Sequence, residues 1–502
     1  MLAAFPLRNN DLWWHLASAR TMVAQHAFLR GDPFSFTGFA ASWIDNEWLA
    51  QLGFYAAWLL GGNVGLVVLR AGLYLGIALV LRAYLREGRQ PSALVPCLIA
   101  GIALSFGWWE LRPSVFSIAA TLALLLILER ARRSGRGLAL LPALFLVWAS
   151  LHPGFLFGLL VLVATTGAIA FEPLLPSWRR FSPFPLVRPL TLWTFASFVA
   201  TLVNPYGWRV YEQQVAISGN VPYRALLDEW VPPSIPFLLL LIATLLAFAF
   251  LRGKRVPLAA WVPIAGASAL ATTGVRFEEY FALIALPAIF VQLGPLRASK
   301  PRAAFAGVLV AASLIVGLAS PLAVARHEGR ADGIASDRVE ARVEGRQQRN
   351  AVILGAIGIA ALVFSRRQGR SRGGWAVTTA SLLIAGFIAS RGPADAIEPG
   401  RYPEKCLEAV NGDGRVFNKL SWGGWLIWTR RQPTFIDGRC SGQPLVFEYV
   451  EAYGPKRQEI FDTHRIDGAI VSKGDALSES LAHDPAWSLA CEDEVSAVYR
   501  RR

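Results

Sequence analysis

Asp11-Leu12-Trp13-Trp14-His15-Leu16, followed by Asp32-Pro33-Phe34-Ser35-Phe36-Thr37 and Asn46-Glu47-Trp48-Leu49, forms a polar, aromatic-rich segment set directly before a long succession of apolar runs. A carboxylate and a histidine four residues apart share one face of a short helix. Tryptophans beside them suit the boundary between lipid and water. The combination points to chemistry at a membrane surface, on a substrate that is partly lipid.

Outward from this segment the chain is strongly apolar. Of its 502 residues 54% are hydrophobic and 17% charged, whereas a soluble protein carries about a quarter charged residues. The apolar residues come in blocks, which marks a polytopic membrane protein. The formal charge of +14 does not mark a nucleic-acid partner. The basic residues are not spread over one surface but sit in short clusters between apolar blocks, as in loops held in the cytoplasm.

Taking apolar runs of roughly 14 to 23 residues as spans gives about twelve. They cover 63–85, 91–107, 114–129, 138–151, 155–172, 190–203, 235–251, 256–272, 280–295, 303–322, 351–365 and 375–390. Alternate loops hold Arg86 and Arg89, then Arg130 to Arg136, Arg179 and Arg180, Arg252 to Arg255, Arg297 to Arg302, and Arg366 to Arg372. These belong inside by the positive-inside rule. The remaining loops then face out, and they carry nearly all the unusual polar residues: Asp11, His15, Asp45, Glu47, Glu110, Arg112, His152, Asn204, Asp228, Glu229, Arg276, Glu278 and Glu279. The loop over 326–350 is both acidic and basic and fits this parity poorly. The predicted organisation is a first extracytoplasmic loop over 1–62, a transmembrane helical domain over 63–390 and an extracytoplasmic α/β domain over 391–502. An N-terminus outside with no span before it is either translocated without a signal or, in the reading preferred here, lacks one transmembrane helix at the start.

In the last segment, strands are predicted near Gly414-Arg415-Val416-Phe417, Thr434-Phe435-Ile436, Gly468-Ala469-Ile470-Val471 and Val495 to Tyr499, with helices over 402–411 and 444–461. One disulfide among Cys406, Cys440 and Cys491 suits a compartment outside the cytoplasm. No cysteine pair has zinc-ligand spacing.

These residues carry a family resemblance. The chain resembles bacterial members of the GT-C superfamily, multi-span glycosyltransferases that use polyprenyl-phosphate-linked sugars. Its branches include protein O-mannosyltransferases, lipid A aminoarabinose transferases and the catalytic subunit of oligosaccharyltransferase. The likeness rests on Asp11-Leu12-Trp13-Trp14-His15, Asp32-Pro33-Phe34-Ser35, Glu47-Trp48-Leu49, Arg112-Pro113, His152-Pro153-Gly154-Phe155, Asn204-Pro205-Tyr206-Gly207 and Arg276-Phe277. Trp422-Gly423-Gly424-Trp425 and Phe435-Ile436-Asp437-Gly438-Arg439 in the tail look like those of bacterial proteins of this type. The resemblance implies an all-α GT-C-like membrane protein with a small α/β tail, and Asp11 at the position of the catalytic acid of the first outer loop. The first loop has no Asp-x-Asp pair, so a divalent ion (Mg or Mn) is an open expectation.

Inverting transfer from a polyprenyl-phosphate sugar to a glycan, lipid or protein needs a base, access to the anomeric carbon and stabilisation of the leaving phosphate. Asp11 is the candidate base; its alternative is to cap or anchor an interfacial helix. His15 orients Asp11, touches phosphate or is a plain interfacial histidine. Glu47 and Asp45 bind substrate or are solvated loop carboxylates. Arg112 and Arg276 grip phosphate with their forked donors or snorkel at span ends. His152 breaks an apolar run, and near-membrane polar groups lean functional. Trp422-Gly423-Gly424-Trp425 stacks on sugar or is a tight packing turn. The expected location is a bacterial inner membrane, with the active face outside. Two other classes compete: a transporter or flippase, for which internal repeats and midplane helix breaks are the signature, and a membrane scaffold.

Overall fold

The computed structural model describes residues 7, 9–38, 42–105, 110–176, 184–219, 232–252, 256–294, 300–331, 401–410, 414–439 and 443–502. The predicted spans over 351–365 and 375–390, the loop over 326–350 beyond Ala331, Asp228, Glu229 and Cys440 lie outside the described residues.

The described chain is mainly helical. Helix α1 (Leu12–Gln25) is followed by α2 (Trp48–Glu87), α3 (Leu94–Ser105), α4 (Ser114–Ser134), α5 (Leu141–Leu151), α6 (Phe155–Phe171), α7 (Val187–Thr201), α8 (Arg209–Gly219), α9 (Ile235–Arg252) and α10 (Leu258–Ala271). Helix α11 runs from Glu278 to Leu293, and α12 covers Lys300–Ala331. Among the described residues, five helical stretches are long and apolar enough to cross a bilayer: Trp48–Glu87, Ser114–Ser134, Phe155–Leu174, Ile235–Arg252 and Lys300–Gly317. The protein is a multi-pass membrane protein. Runs such as Leu138–Leu151 and Leu258–Ala271 are apolar throughout but fall short of the roughly 20 residues that a 30 Å core requires.

The element ends follow local chemistry. Helix α4 starts after Pro113 and stops at Gly135, whose φ of 69° is open to glycine at little cost. Arg132 and Arg133 in its last turn hold the buried Glu129 at 2.7 and 2.5 Å. Helix α2 begins well before the apolar run that marks it in sequence and bends at Gly61-Gly62, where Gly62 has φ 56°. Helix α11 widens to π geometry over Phe281–Ala285, directly before Pro287, which has no N–H to donate. The bundle core is aromatic and fully enclosed at Phe145, Trp148, Phe155, Phe237, Phe248, Phe281 and Phe290. Chain parity brings Arg112, His152 and Arg276 to one end of the bundle, while Glu87 and Arg130 meet at the other, 3.5 Å apart.

The C-terminal segment is a small α/β unit. Strands β1 (Val416–Asn418), β2 (Gly468–Ser472), β3 (Trp487–Glu492) and β4 (Ser496–Arg501) form one sheet in the order β1-β2-β4-β3. The β1–β2 pair is parallel and the other two are antiparallel. Helices α13 (Leu420–Arg430), α14 (Gln443–Glu451), α15 (Arg457–Thr463) and α16 (Ala476–Ala482) complete it. Cys406 and Cys491 are disulfide-bonded across a separation of 85 residues. Four local expectations change. Among residues 402–410 there is a 3-10 turn at Glu408–Val410, the helix expected over 444–461 divides into Gln443–Glu451 and Arg457–Thr463, and Trp422-Gly423-Gly424-Trp425 is helical, not a turn. The predicted strand at Thr434-Phe435-Ile436 does not join the sheet. It pairs instead with the first polar loop: Thr434 N–H donates to the Phe34 carbonyl at 2.9 Å, and Phe36 N–H donates to the Thr434 carbonyl at 3.1 Å.

Candidate functional site

The C-terminal unit is therefore seated on the segment that opens the chain. Tyr402 stacks on Trp425 with ring centres 5.2 Å apart, and its hydroxyl accepts from Trp13 Nε1 at 2.7 Å. Arg20 lies over Trp428 and donates to the carbonyls of Ile427 and Trp428. Glycines at 423 and 424 allow α13 this approach. A Cβ at Gly423 would fall 2.1 Å from the Ile436 carbonyl, and one at Gly424 would fall 3.0 Å from the Asn10 carbonyl.

Asp11 sits at the entry to α1 and makes no cap bond with its side chain. Its Oδ1 accepts instead from Trp14 Nε1 at 3.3 Å. His15, one turn on, stacks against Trp14 with centroids 3.6 Å apart and turns Nδ1 toward Glu47, 3.8 Å away. It is fully enclosed. Burial first, then the charges of Arg112 and His152, hold its pKa well below the ordinary histidine value, so the imidazole is neutral at pH 7 and the contact with Glu47 is not an ion pair. His15 thus faces Glu47 and not the Asp11 side chain.

Glu47 stands between two histidines, with Oε1 3.7 Å from His152 Nε2. On the far edge of that ring, Nδ1 accepts from the Gly154 N–H at 2.9 Å and meets the Ser117 hydroxyl at 2.8 Å. These bonds leave Nε2 as the nitrogen that addresses Glu47. Trp148 Nε1 donates to the same Ser117 oxygen, which fixes the hydroxyl direction. Beyond His152 a cleft opens, lined by Arg112, Ser114, His152, Arg276, Phe277, Glu279 and Tyr280. Five separate parts of the chain supply this row of groups.

Of the sequence-predicted residues, Glu47, His15 and His152 form one line, and Arg112, His152 and Arg276 share one cleft. Asp11 joins through Trp14 and His15. Asp45 points elsewhere: it is buried, and its Oδ1 accepts from Gln51 Nε2 at 2.7 Å. Burial pushes its pKa up to about 7 against the Glu47 N–H and Gln51 bonds that favour the anion. One residue and one pairing are not legible in the sequence. Arg70, wholly buried within α2, lies 3.6 Å from Glu110 just before Arg112. An arginine inside an apolar run was the available signal. Asp32 and Arg439 meet at 2.6 Å across a separation of 407 residues, which no sequence pattern announces. Among the described residues, no group of three histidine, cysteine or acidic side chains is arranged to hold a metal.

No protein-family model matches the sequence, and no curated protein matches it. Solved structures do. ArnT from Cupriavidus metallidurans bound to undecaprenyl phosphate superposes with a TM-score of 0.55 at 16% identity, over 99% of this chain and 94% of that one. The same protein in the apo state gives 0.55 at 16% identity over 98% and 94%. The apo oligosaccharyltransferase of Archaeoglobus fulgidus gives 0.49 at 12% identity over 95% of this chain and 69% of that one, a likeness too loose to argue from. What the ArnT likeness establishes is the fold, over nearly the full length of both chains.

Proposed function

We propose that this chain, whose fold is that of the GT-C membrane glycosyltransferases, is itself a glycosyltransferase that moves a sugar from a polyprenyl-phosphate donor to an acceptor outside the cytoplasm. The observation that carries the reading is the convergence of a carboxylate at the start of α1, a glutamate held between two histidines, and a cleft with two arginines, all at one end of the bundle. The ArnT of like fold was solved with undecaprenyl phosphate, the class of molecule such a cleft would receive.

In this reading Asp11 removes the proton of an acceptor hydroxyl as its oxygen attacks the anomeric carbon. The bond from that carbon to the phosphate oxygen breaks on the opposite face, so the configuration inverts. The departing phosphate collects negative charge, which Arg112 and Arg276 meet with forked N–H donors, assisted by His152 Nε2–H. Glu47 orients His152, and the neutral His15 supports Glu47 without adding charge.

Membranes carrying the full chain are tested with labelled polyprenyl-phosphate sugars. Wild-type protein is expected to release or transfer label, and Asp11→Asn to lower the rate by about 10²–10⁴, the usual worth of a general base. Arg112→Gln and Arg276→Gln are each expected to cost about 10²-fold, the scale of one lost charge-stabilising group. An inserted wild-type protein that turns over no donor sinks the enzyme reading and favours a transporter.

A further inference from the structure

The loop Asp437-Gly438-Arg439 is not needed by the chemistry above, yet it is the part of the C-terminal unit pressed against Asp11. A Cβ at Gly438 would stand 2.1 Å from Asp11 Oδ1 and 3.3 Å from Trp14 Nε1, the group that donates to Asp11. A Cβ here would push the Asp11 carboxylate out of its present position, because a side-chain oxygen of Asp11 is the first atom it meets. The next residue fixes the loop in place. The side chain of Arg439 is enclosed, donates to Asp437 at 2.6 Å and to Asp32 at 2.6 Å, and lies over Phe34 and Trp43 with its guanidinium carbon 4.9 and 4.7 Å from their centres. Burial works against its charge, but Asp437 and then Asp32 more than offset this and raise its pKa above the ordinary arginine value. Arg439 is thus a permanent cationic pin between the C-terminal unit and the first polar loop.

We propose that Gly438 and Arg439 are positioning residues for Asp11, so that the C-terminal domain forms one wall of the active site and is not an appended module. The inference rests on the glycosyl-transfer reading for the role of Asp11. Gly438 sets the space in which the Asp11 carboxylate can point, and the Asp32–Arg439–Asp437 bridge sets where Gly438 lies. A loosened bridge leaves the donor cleft at Arg112, His152 and Arg276 untouched, because none of the three contacts it through the hydrogen bonds and ion pairs of Arg439.

The test uses full-length protein and two readouts. In the transfer assay, Gly438→Ala and Arg439→Gln are expected to lower kcat at least ten-fold, with KM for the lipid donor changed less than two-fold, and Arg439→Lys is expected to recover part of the loss. Independently of activity, carbodiimide labelling of Asp11 is compared with that of the exposed Glu494. Arg439→Gln should raise labelling of Asp11 several-fold and leave Glu494 unchanged, with the Cys406–Cys491 disulfide intact as evidence of a folded domain. Wild-type kcat in both variants, or Asp11 labelling unmoved in Arg439→Gln, overturns the positioning role while Asp11→Asn still reports on the transfer reading. If Asp11→Asn itself is fully active, that reading fails and takes this inference with it.

Discussion

At the scale of single residues, the molecule keeps unlike charges in unlike states by enclosing them. Asp45 and His15 lie a few residues from the proposed centre, and both are held toward neutrality by burial. For Asp45 the sign is definite. Its folded pKa of about 7 lies above the 3.8 of a solvated aspartate. The folded state therefore holds the proton more tightly, and stability from this group falls as pH rises from about 4 to about 7, then levels. Asp45→Asn carries no such loss. The difference in melting temperature, variant minus wild type, is expected to grow across that window and stay flat above it. A difference independent of pH would show that Asp45 is not a buried, protonatable group. Candidate positions were readable here because chemistry at a membrane surface needs carboxylate, imidazole and guanidinium, and few of each occur near the ends of apolar runs. Which of them point together was not readable. Asp45 and Glu47 are two residues apart, yet one turns to Gln51 and the other to two histidines.

At the scale of elements, glycine decides how closely helices and loops approach. Helix α13 lies on the loop after it and on the entry to α1 because Gly423 and Gly424 present bare backbone. In sequence, Trp422-Gly423-Gly424-Trp425 reads equally as a sugar platform or a packing turn, and only the neighbours decide. Both tryptophans are buried, and Trp422 Nε1 donates to the Arg401 carbonyl at 3.0 Å, so the motif serves packing. Gly423→Ala is expected to destabilise by about 1–3 kcal/mol, because its Cβ meets a backbone carbonyl that cannot swing away. Gly53→Ala in α2 supplies the contrast. Its Cβ meets nothing within 4 Å, and the exchange is expected to stabilise the helix by about 0.5–1 kcal/mol. Thermal unfolding of the two variants in the same detergent tests the pair. Equal shifts would mean that the close approach of α13 is absent in solution. The strand expected at Thr434-Phe435-Ile436 illustrates the limit of local patterns. Its alternation is genuine, but its hydrogen-bonding partner is the backbone around Phe34 and Phe36, some 400 residues away.

At the scale of the whole molecule, packing puts the C-terminal domain on the same side as the proposed centre. It is built onto α1 and the first polar loop by the Asp32–Arg439–Asp437 bridge and the Thr434 pairing. It also carries the Cys406–Cys491 disulfide, a bond kept in oxidising compartments and lost in the cytoplasm. The parity of basic loops gives the same side from unrelated residues, since Arg130, Arg132 and Arg133 gather at the bundle end opposite Arg112 and His152. This agreement supports the proposed extracytoplasmic position of the active face. Closing a loop of 85 residues is worth about 4–5 kcal/mol in the chain-entropy account. Reduction is therefore expected to loosen the domain and, through the Arg439 bridge, to reduce transfer activity together with domain stability. In intact cells, a membrane-impermeant reductant followed by an impermeant maleimide should label Cys406 and Cys491, whereas Cys97, buried in α3, should stay unlabelled. Labelling that needs permeabilised cells would put the domain in the cytoplasm. It would also reverse the assigned side of Asp11, because the packing of α13 on α1 lets neither change sides without the other.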